Sequence, residues 1–256
     1  MSNIFLSKSV DIKKISENDE RGVFEISGLY TGYGTTLGNA LRRALLSSLP
    51  GAAVTQFKIK GIKHEFSTIS GILEDVVEIS MNLKKIRFQI HTDEPQTLVL
   101  KKKGAGDVIA GDIKPNAQVE IVNADVRIAT ITSKSAELDM EITVERGLGY
   151  SPVETRKIEK LPIGTIAIDA MFTPVTNVDF EVENMRVGDR TDYNRLIISI
   201  DTDSTVSPSK ALQNSANILR EHLEIISGVK VEEENKSKAR ESVKISKAKK
   251  AKKTAK

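Results

Sequence analysis

Cysteine is absent from all 256 residues. That one gap removes disulfides, thiol nucleophiles and cysteine-based metal centres together, and it fits a reducing compartment. Tryptophan is absent too, and aromatic residues make up only 4% of the chain, so a platform of base-stacking rings is not available. No apolar run approaches the roughly 20 residues of a membrane-spanning helix. The opening residues, MSNIFLSKSVDIKK, lack the apolar stretch of a secretory signal. The three histidines, 64, 91 and 222, stand far apart with no metal-ligand spacing.

What is present is enough for a substantial core, since 39% of residues are hydrophobic in a chain long enough for one large or two ordinary domains. Charge is segregated. From Lys230 onward eleven lysines and arginines face four glutamates, and because the whole chain carries +3, the first 229 residues hold about −4. Residues 230–256 are low-complexity Lys, Ala, Ser and Glu, which cannot offset the entropy of ordering and read as a disordered basic tail.

The richest segment is Thr31–Ala52, TGYGTTLGNALRRALLSSLPGA. Thr35 or Thr36 is the expected cap of a helix, and Pro50–Gly51 ends the element. Leu37, Ala40, Leu41, Ala44, Leu45 and Ser48 recur at three- and four-residue spacing. A stripe so rich in small residues suits close approach of another helix. Arg42 and Arg43 sit poorly in a core and well against a partner's carboxylates or carbonyls.

Around this segment the pattern is strand-like. Residues 1–30 alternate, with Val23, Ile26 and Leu29 prominent in VFEISGLY. The middle block holds short strands, AAVTQFKIKGI, KKIRFQIHT, TLVLKKK, QVEIVNADVRIATI and AELDMEITVERG, with a short helix expected over Ile72–Leu83. It reads as α+β with an antiparallel sheet. A polar link, SPVETRKIEKLPIG, leads to the strands TIAIDAMFTPV, NVDFEVENMRV and RLIISID. Ser207–Pro208 then opens a second helix, whose stripe Leu212, Ala216, Leu219, Leu223, Ile226 is spaced four, three, four, three, as in the seam of two packed helices. Gly228 is the expected stop.

Candidate catalytic motifs fail on their surroundings. Gly32-x-Gly34-x-x-x-Gly38 is one residue too long for a dinucleotide fingerprint, and no lysine follows for a P-loop. Leu196–Val206 ends in Asp201-x-Asp203-x-Thr205 and is similar to the nucleophile motif of haloacid-dehalogenase-type phosphatases. There Asp201 would attack phosphorus, with Asp203 as general acid and Mg²⁺ neutralising charge. Too little chain follows to supply the remaining parts of that site, so the reading stands only as an alternative, beside a basic-tailed nucleic-acid-binding module. Asp169 is expected to be hydrogen-bonded rather than catalytic, and Glu74–Asp75 to lie on a solvated face.

GYGTTLGNALRRALLSSLPGAAVT, GIKHEFSTISGILEDVVEISMNLK, ERGLGYSP, PIGTIAIDAMFTPV and VGDRTDYNRLIISIDTDSTVSP occur in that order. They closely resemble the alpha subunit family of bacterial and plastid RNA polymerase over about residues 20–228. The resemblance implies a two-subdomain α+β fold. A split dimerisation subdomain, residues 1–50 plus 172–229, would carry an inserted mainly-β subdomain at 51–171. The helices 37–48 and 212–226 of two copies would then form a four-helix core. Arg43, with Arg42 beside it, and His64, Glu65, Ser67 and Thr68 match positions near the beta subunit. Lys84, Pro174 and Val175 match positions near beta-prime. No cofactor is implied here, since Mg²⁺ and the phosphodiester chemistry belong to the large subunits of that complex. A cytoplasmic, nucleoid-associated or plastid-stromal location follows. Typical family members continue into a linker and a small helical DNA-contacting domain, where this sequence has its lysine-rich tail. That tail is a candidate DNA contact, with a merely solubilising role as the alternative.

Overall fold

The computed structural model describes residues 10–114, 116–156 and 162–229. The basic tail lies outside them. Two compact units divide the chain, residues 1–219 and 220–256.

The chain opens with β1 (Asp11–Glu17) and β2 (Arg21–Leu29), followed by α1 (Tyr33–Ser47) and β3 (Pro50–Ile59). After α2 (Val76–Leu83) come β4 (Phe88–Ile90), β5 (Gln96–Lys103), β6 (Gly106–Ile109), β7 (Ile113–Lys114), β8 (Val119–Ile121) and β9 (Arg127–Ile131). Then follow β10 (Glu137–Leu148), β11 (Tyr150–Ser151), β12 (Thr165–Ala167) and β13 (Ala170–Met171). The chain returns through β14 (Val175–Val187) and β15 (Arg190–Thr202) to α3 (Pro208–Ser227).

The first and last strands share one antiparallel sheet in the order β1-β2-β15-β14. Strict alternation sets its buried face. Phe24 and Ile26 of β2 point inward beside Leu196, Ile198 and Ile200 of β15. Val23, given prominence from the sequence, lies half-buried on the other face, because a period of two sends neighbours to opposite sides. Leu41, Leu45 and Leu49 complete this core with Val175, Val178 and Ala211. Each fully buried leucine of this kind contributes about 1.5–3 kcal/mol.

The middle block builds a second antiparallel sheet, β7-β5-β10-β3-β4-β8, with β12 also paired to β3. Its core is separate and joins Phe57, Leu98, Leu100, Leu138 and Ile142 of the sheet to Ile79 and Leu83 of α2. The expected helix over 72–83 begins only at Val76. Ile72 instead forms a strand bridge to Ile131, and Asp75 caps α2, its carboxylate accepting from the Glu78 N–H at 2.7 Å. Nor is Glu74 solvated. It is buried at 8% exposure, and its carboxylate accepts from the Thr130 N–H at 2.6 Å and the Thr130 hydroxyl at 3.1 Å.

The cap of α1 is a second correction. Neither Thr35 nor Thr36 provides it. The N-cap is Gly32, at φ +84°, with no side-chain cap of its own. Asn194 Oδ1, on β15, accepts instead from the Gly32 N–H at 2.8 Å and the Gly34 N–H at 3.4 Å. Two of the free donors of this helix start are thus satisfied from 160 residues away in sequence, while the Tyr33 N–H donates locally to the Tyr30 carbonyl at 2.9 Å. Thr31 Oγ1 lies 2.7 Å from Asp192 Oδ2, and Arg190, paired with Asp192 at 2.6 Å, stacks over Tyr30 and Tyr193. These contacts brace the same turn.

Candidate assembly surfaces

On α1 the buried face is Gly34, Gly38, Leu41, Ala44 and Leu45. A Cβ on Gly38 would come within 2.6 Å of the Phe180 ring, and one on Gly34 within 2.6 Å of Val182 Cγ1. The small residues therefore seat α1 on β14 and β15 of its own sheet. This corrects the expectation that Leu41, Ala44 and Leu45 wait for a partner helix: at 7%, 5% and 0% exposure their surface is already spent on this chain's core. Leu37, Ala40 and Ser48 are half-buried at its margin. Arg42 and Arg43 are exposed, and neither guanidinium has a partner among the described residues.

The stripe on α3 is divided. In the larger unit Leu212 and Leu219 are half-buried against the first core, Ala216 is exposed, and the fully buried positions are Pro208, Ala211 and Ser215. In the smaller unit Leu223, Ile225 and Ile226 are 64%, 77% and 64% exposed. The start of α3 is held by Glu17 of β1. Its carboxylate accepts from the Ser209 N–H at 2.8 Å, from the Ser209 hydroxyl at 2.7 Å and from Lys14 Nζ at 2.8 Å. Lys14 first, then Ser209, draw the Glu17 carboxyl from 4.5 down to about 2.

The segment matched to beta lies open. His64, Glu65 and Thr68 are exposed, Ser67 is half-buried, and the Ser67 hydroxyl is 3.1 Å from His64 Nδ1. Between them Phe66 is 79% exposed, with Leu73 at 71%. The sequence reading missed Phe66, although an isolated Phe in HEFST was the available signal; it counted Leu73 toward the apolar face of the helix expected over 72–83, whereas Leu73 lies before α2 and open. Lys84, matched to beta-prime, reaches Asp169 Oδ2 at 3.2 Å beside a cleft of ≈150 Å³ that Tyr150 and Met171 also line. The Val153 N–H donates to Asp169 Oδ1 at 3.1 Å. That bond first, then Lys84, holds the Asp169 carboxyl below the usual carboxylate range. Pro174 is buried and Val175 is 1% exposed. Neither side chain is open to beta-prime, because both close the junction where β14 leaves the middle block.

Asp201 and Asp203 serve the fold. Asp201 lies 3.5 Å from Arg21 Nε and accepts from Asn177 Nδ2 at 3.3 Å. Asp203 Oδ1 accepts from the Thr205 N–H and hydroxyl at 3.1 and 2.5 Å. Among the described residues no group of three or more His, Asp or Glu side chains is placed to hold a metal ion.

Comparison with known proteins decides between the readings. The family model for the RNA polymerase Rpb3/RpoA insert domain matches residues 57–173. Proteins named DNA-directed RNA polymerase subunit alpha from Alkaliphilus oremlandii, Oceanobacillus iheyensis and Symbiobacterium thermophilum are 49%, 46% and 47% identical to this chain. The matches cover 84%, 88% and 82% of this chain and 68%, 72% and 67% of those relatives. The chain belongs to the DNA-directed RNA polymerase alpha subunit family. Alpha subunits are components of a nucleotidyltransferase complex, and nothing supports the phosphatase reading of Asp201 and Asp203. No helix among the described residues of this alpha-family chain is long and apolar enough to cross a membrane.

Proposed function

We propose that this alpha-family chain is a non-catalytic assembly subunit that pairs with a second copy of itself and then captures the beta and beta-prime subunits. The observation that carries the pairing is the exposed apolar run on the last turns of α3. Leu223 and Ile226, three residues apart, share a helix face, and an uncovered apolar face of this kind is normally closed by a partner. The half-buried margin of α1, with Leu37, Ala40 and Ser48, is a second contact between copies. A symmetric dimer presents each such patch twice.

The reading divides the fold into a split pairing subdomain, residues 1–50 plus 172–229, and an insert at 51–171. Two separate cores support that division, as does the span of the matched insert-domain family. Beta is met by the exposed Arg42 and Arg43 on one sheet's helix and by His64, Glu65, Thr68 and Phe66 on the other body. Beta-prime is met around Lys84. Exposed charged residues beside an apolar patch are the expected anatomy of such interfaces. The complex works in the bacterial cytoplasm or a plastid stroma, with Mg²⁺ held by its large subunits. A second contact, with DNA through residues 230–256, is favoured by the eleven lysines and arginines placed there.

Sizing the purified full chain by light scattering tests the pairing. A mass about twice the 28.1 kDa of one chain, with co-purification of beta on co-expression, is expected. A monomer that captures no beta would overturn the reading.

A further inference from the structure

We propose that Arg87 and Asp203 are a positioning pair whose ion pair fixes the angle between the two packed bodies of the 1–219 unit, so that docking residues on both bodies engage a large subunit together. The proposal rests on the assembly reading above.

The two bodies do not merge. Their buried clusters share no residue, and an open cleft of ≈240 Å³ lies between them, lined by Phe88, Ile90 and Arg146 on one side and by Pro174, Val206 and Lys210 on the other. The chain crosses from one body to the other on either side of Pro50 and of Pro174. At those crossings the two chain segments touch: a Cβ on Gly51 would fall 1.8 Å from the Phe172 carbonyl oxygen. Two adjacent crossings make a pivot, and a pivot with an open cleft beside it needs a tie.

Arg87 and Asp203 are built as that tie. The Arg87 N–H donates to Asn123 Oδ1 at 2.7 Å, and its carbonyl accepts from the Val122 N–H at 3.0 Å, which fixes its backbone in the middle block. Asp203 lies just beyond β15, with its N–H donating to the Pro174 carbonyl at 3.0 Å. Its Oδ1 is occupied by Thr205, which leaves Oδ2, 3.6 Å from Arg87 Nε, for the pair. The two side chains are only 21% and 8% exposed. Removing one partner strands a largely desolvated charge, so the pair favours the docked arrangement. This gives the second aspartate of the D-x-D motif its purpose. Asp201, by contrast, ties β15 to its own sheet through Arg21.

The experiment uses the full chain, whose lack of cysteine allows clean labelling. Spin labels at Asn39→Cys on α1 and Lys103→Cys on β5, diluted with unlabelled chain, report the distance between bodies. Arg87→Met and Asp203→Asn are expected to broaden that distribution and to lower beta capture by roughly two- to thirtyfold, the range for residues that act through coupling rather than contact. Arg87→Lys, which keeps the charge, is expected to restore most of both. Arg87→Met combined with Asp203→Asn should be no worse than either alone. An unchanged distribution in the single variants, with circular dichroism unaltered, would overturn the tie. A broadened distribution with full capture would overturn the positioning role. If the unaltered chain captures no beta, the assembly reading fails instead, while the distance measurement still decides the tie.

Discussion

Asn194 is the residue on which the most depends for its size. One side-chain oxygen on β15 satisfies two donors at the start of α1, and the same side chain's amide donates to Asn184 Oδ1 at 3.3 Å, so the start of the helix that carries Arg42 and Arg43 is set by a residue 160 positions further along the chain. Asn194→Ala is expected to cost about 0.5–2 kcal/mol, the range for a lost helix cap, read as a lower urea midpoint at constant slope. Arg43 behaves in the opposite way. It is exposed and has no partner among the described residues, so Arg43→Ala is expected to change stability by no more than about 0.5 kcal/mol. Pull-down of beta should nevertheless fall by tenfold or more, as for an interface anchor arginine. Capture at the unaltered level would remove Arg43 from the docking surface.

At the scale of elements, α1 and α3 are amphipathic for different reasons. The small residues of α1 let its backbone settle on β14 and β15, and with Gly38 facing the Phe180 ring there is no room for a side chain. The apolar end of α3 has no such partner among the described residues of its own unit. Leu223→Asp is therefore expected to leave the circular dichroism spectrum unchanged while halving the mass in solution. Leu219→Asp mixes the two effects, because Leu219 also packs on the first core. The other end of α3 is pH-sensitive. Glu17 is held down to about 2 from an ordinary 4.5. Its contribution is thus full above pH 4.5 and is lost as the pH falls toward 2. Wild type is expected to lose more stability across that window than Glu17→Gln, measured by thermal melts at stepped pH. Parallel curves would show that the contact carries no linkage.

For the whole molecule, charge and packing are both partitioned. The body is mildly acidic and the basic excess lies in residues 230–256. Deleting those residues is expected to abolish sequence-independent DNA binding at low salt. In the intact chain that binding should weaken steeply as salt rises, since each phosphate contact releases a counterion. Equal gel-shift affinity with and without residues 230–256 would dispose of a DNA role for them.

The sequence by itself determined the element types, the positions of both long helices to within a few residues, and the exposure of Arg42 and Arg43. These follow from local periodicity and from the cost of burying a guanidinium. It also carried the family, through ordered motifs that no single element could supply. Tertiary structure alone decided which face of α1 is spent on its own sheet, that Asn194 caps it, that Glu74 is buried against Thr130, and that Asp203 meets Arg87. Each of these joins residues at least 50 positions apart. Periodicity tells which side of a helix or strand is apolar, but not what will cover it. That is settled only when β2 pairs with β15 and brings the two ends of the chain into one sheet.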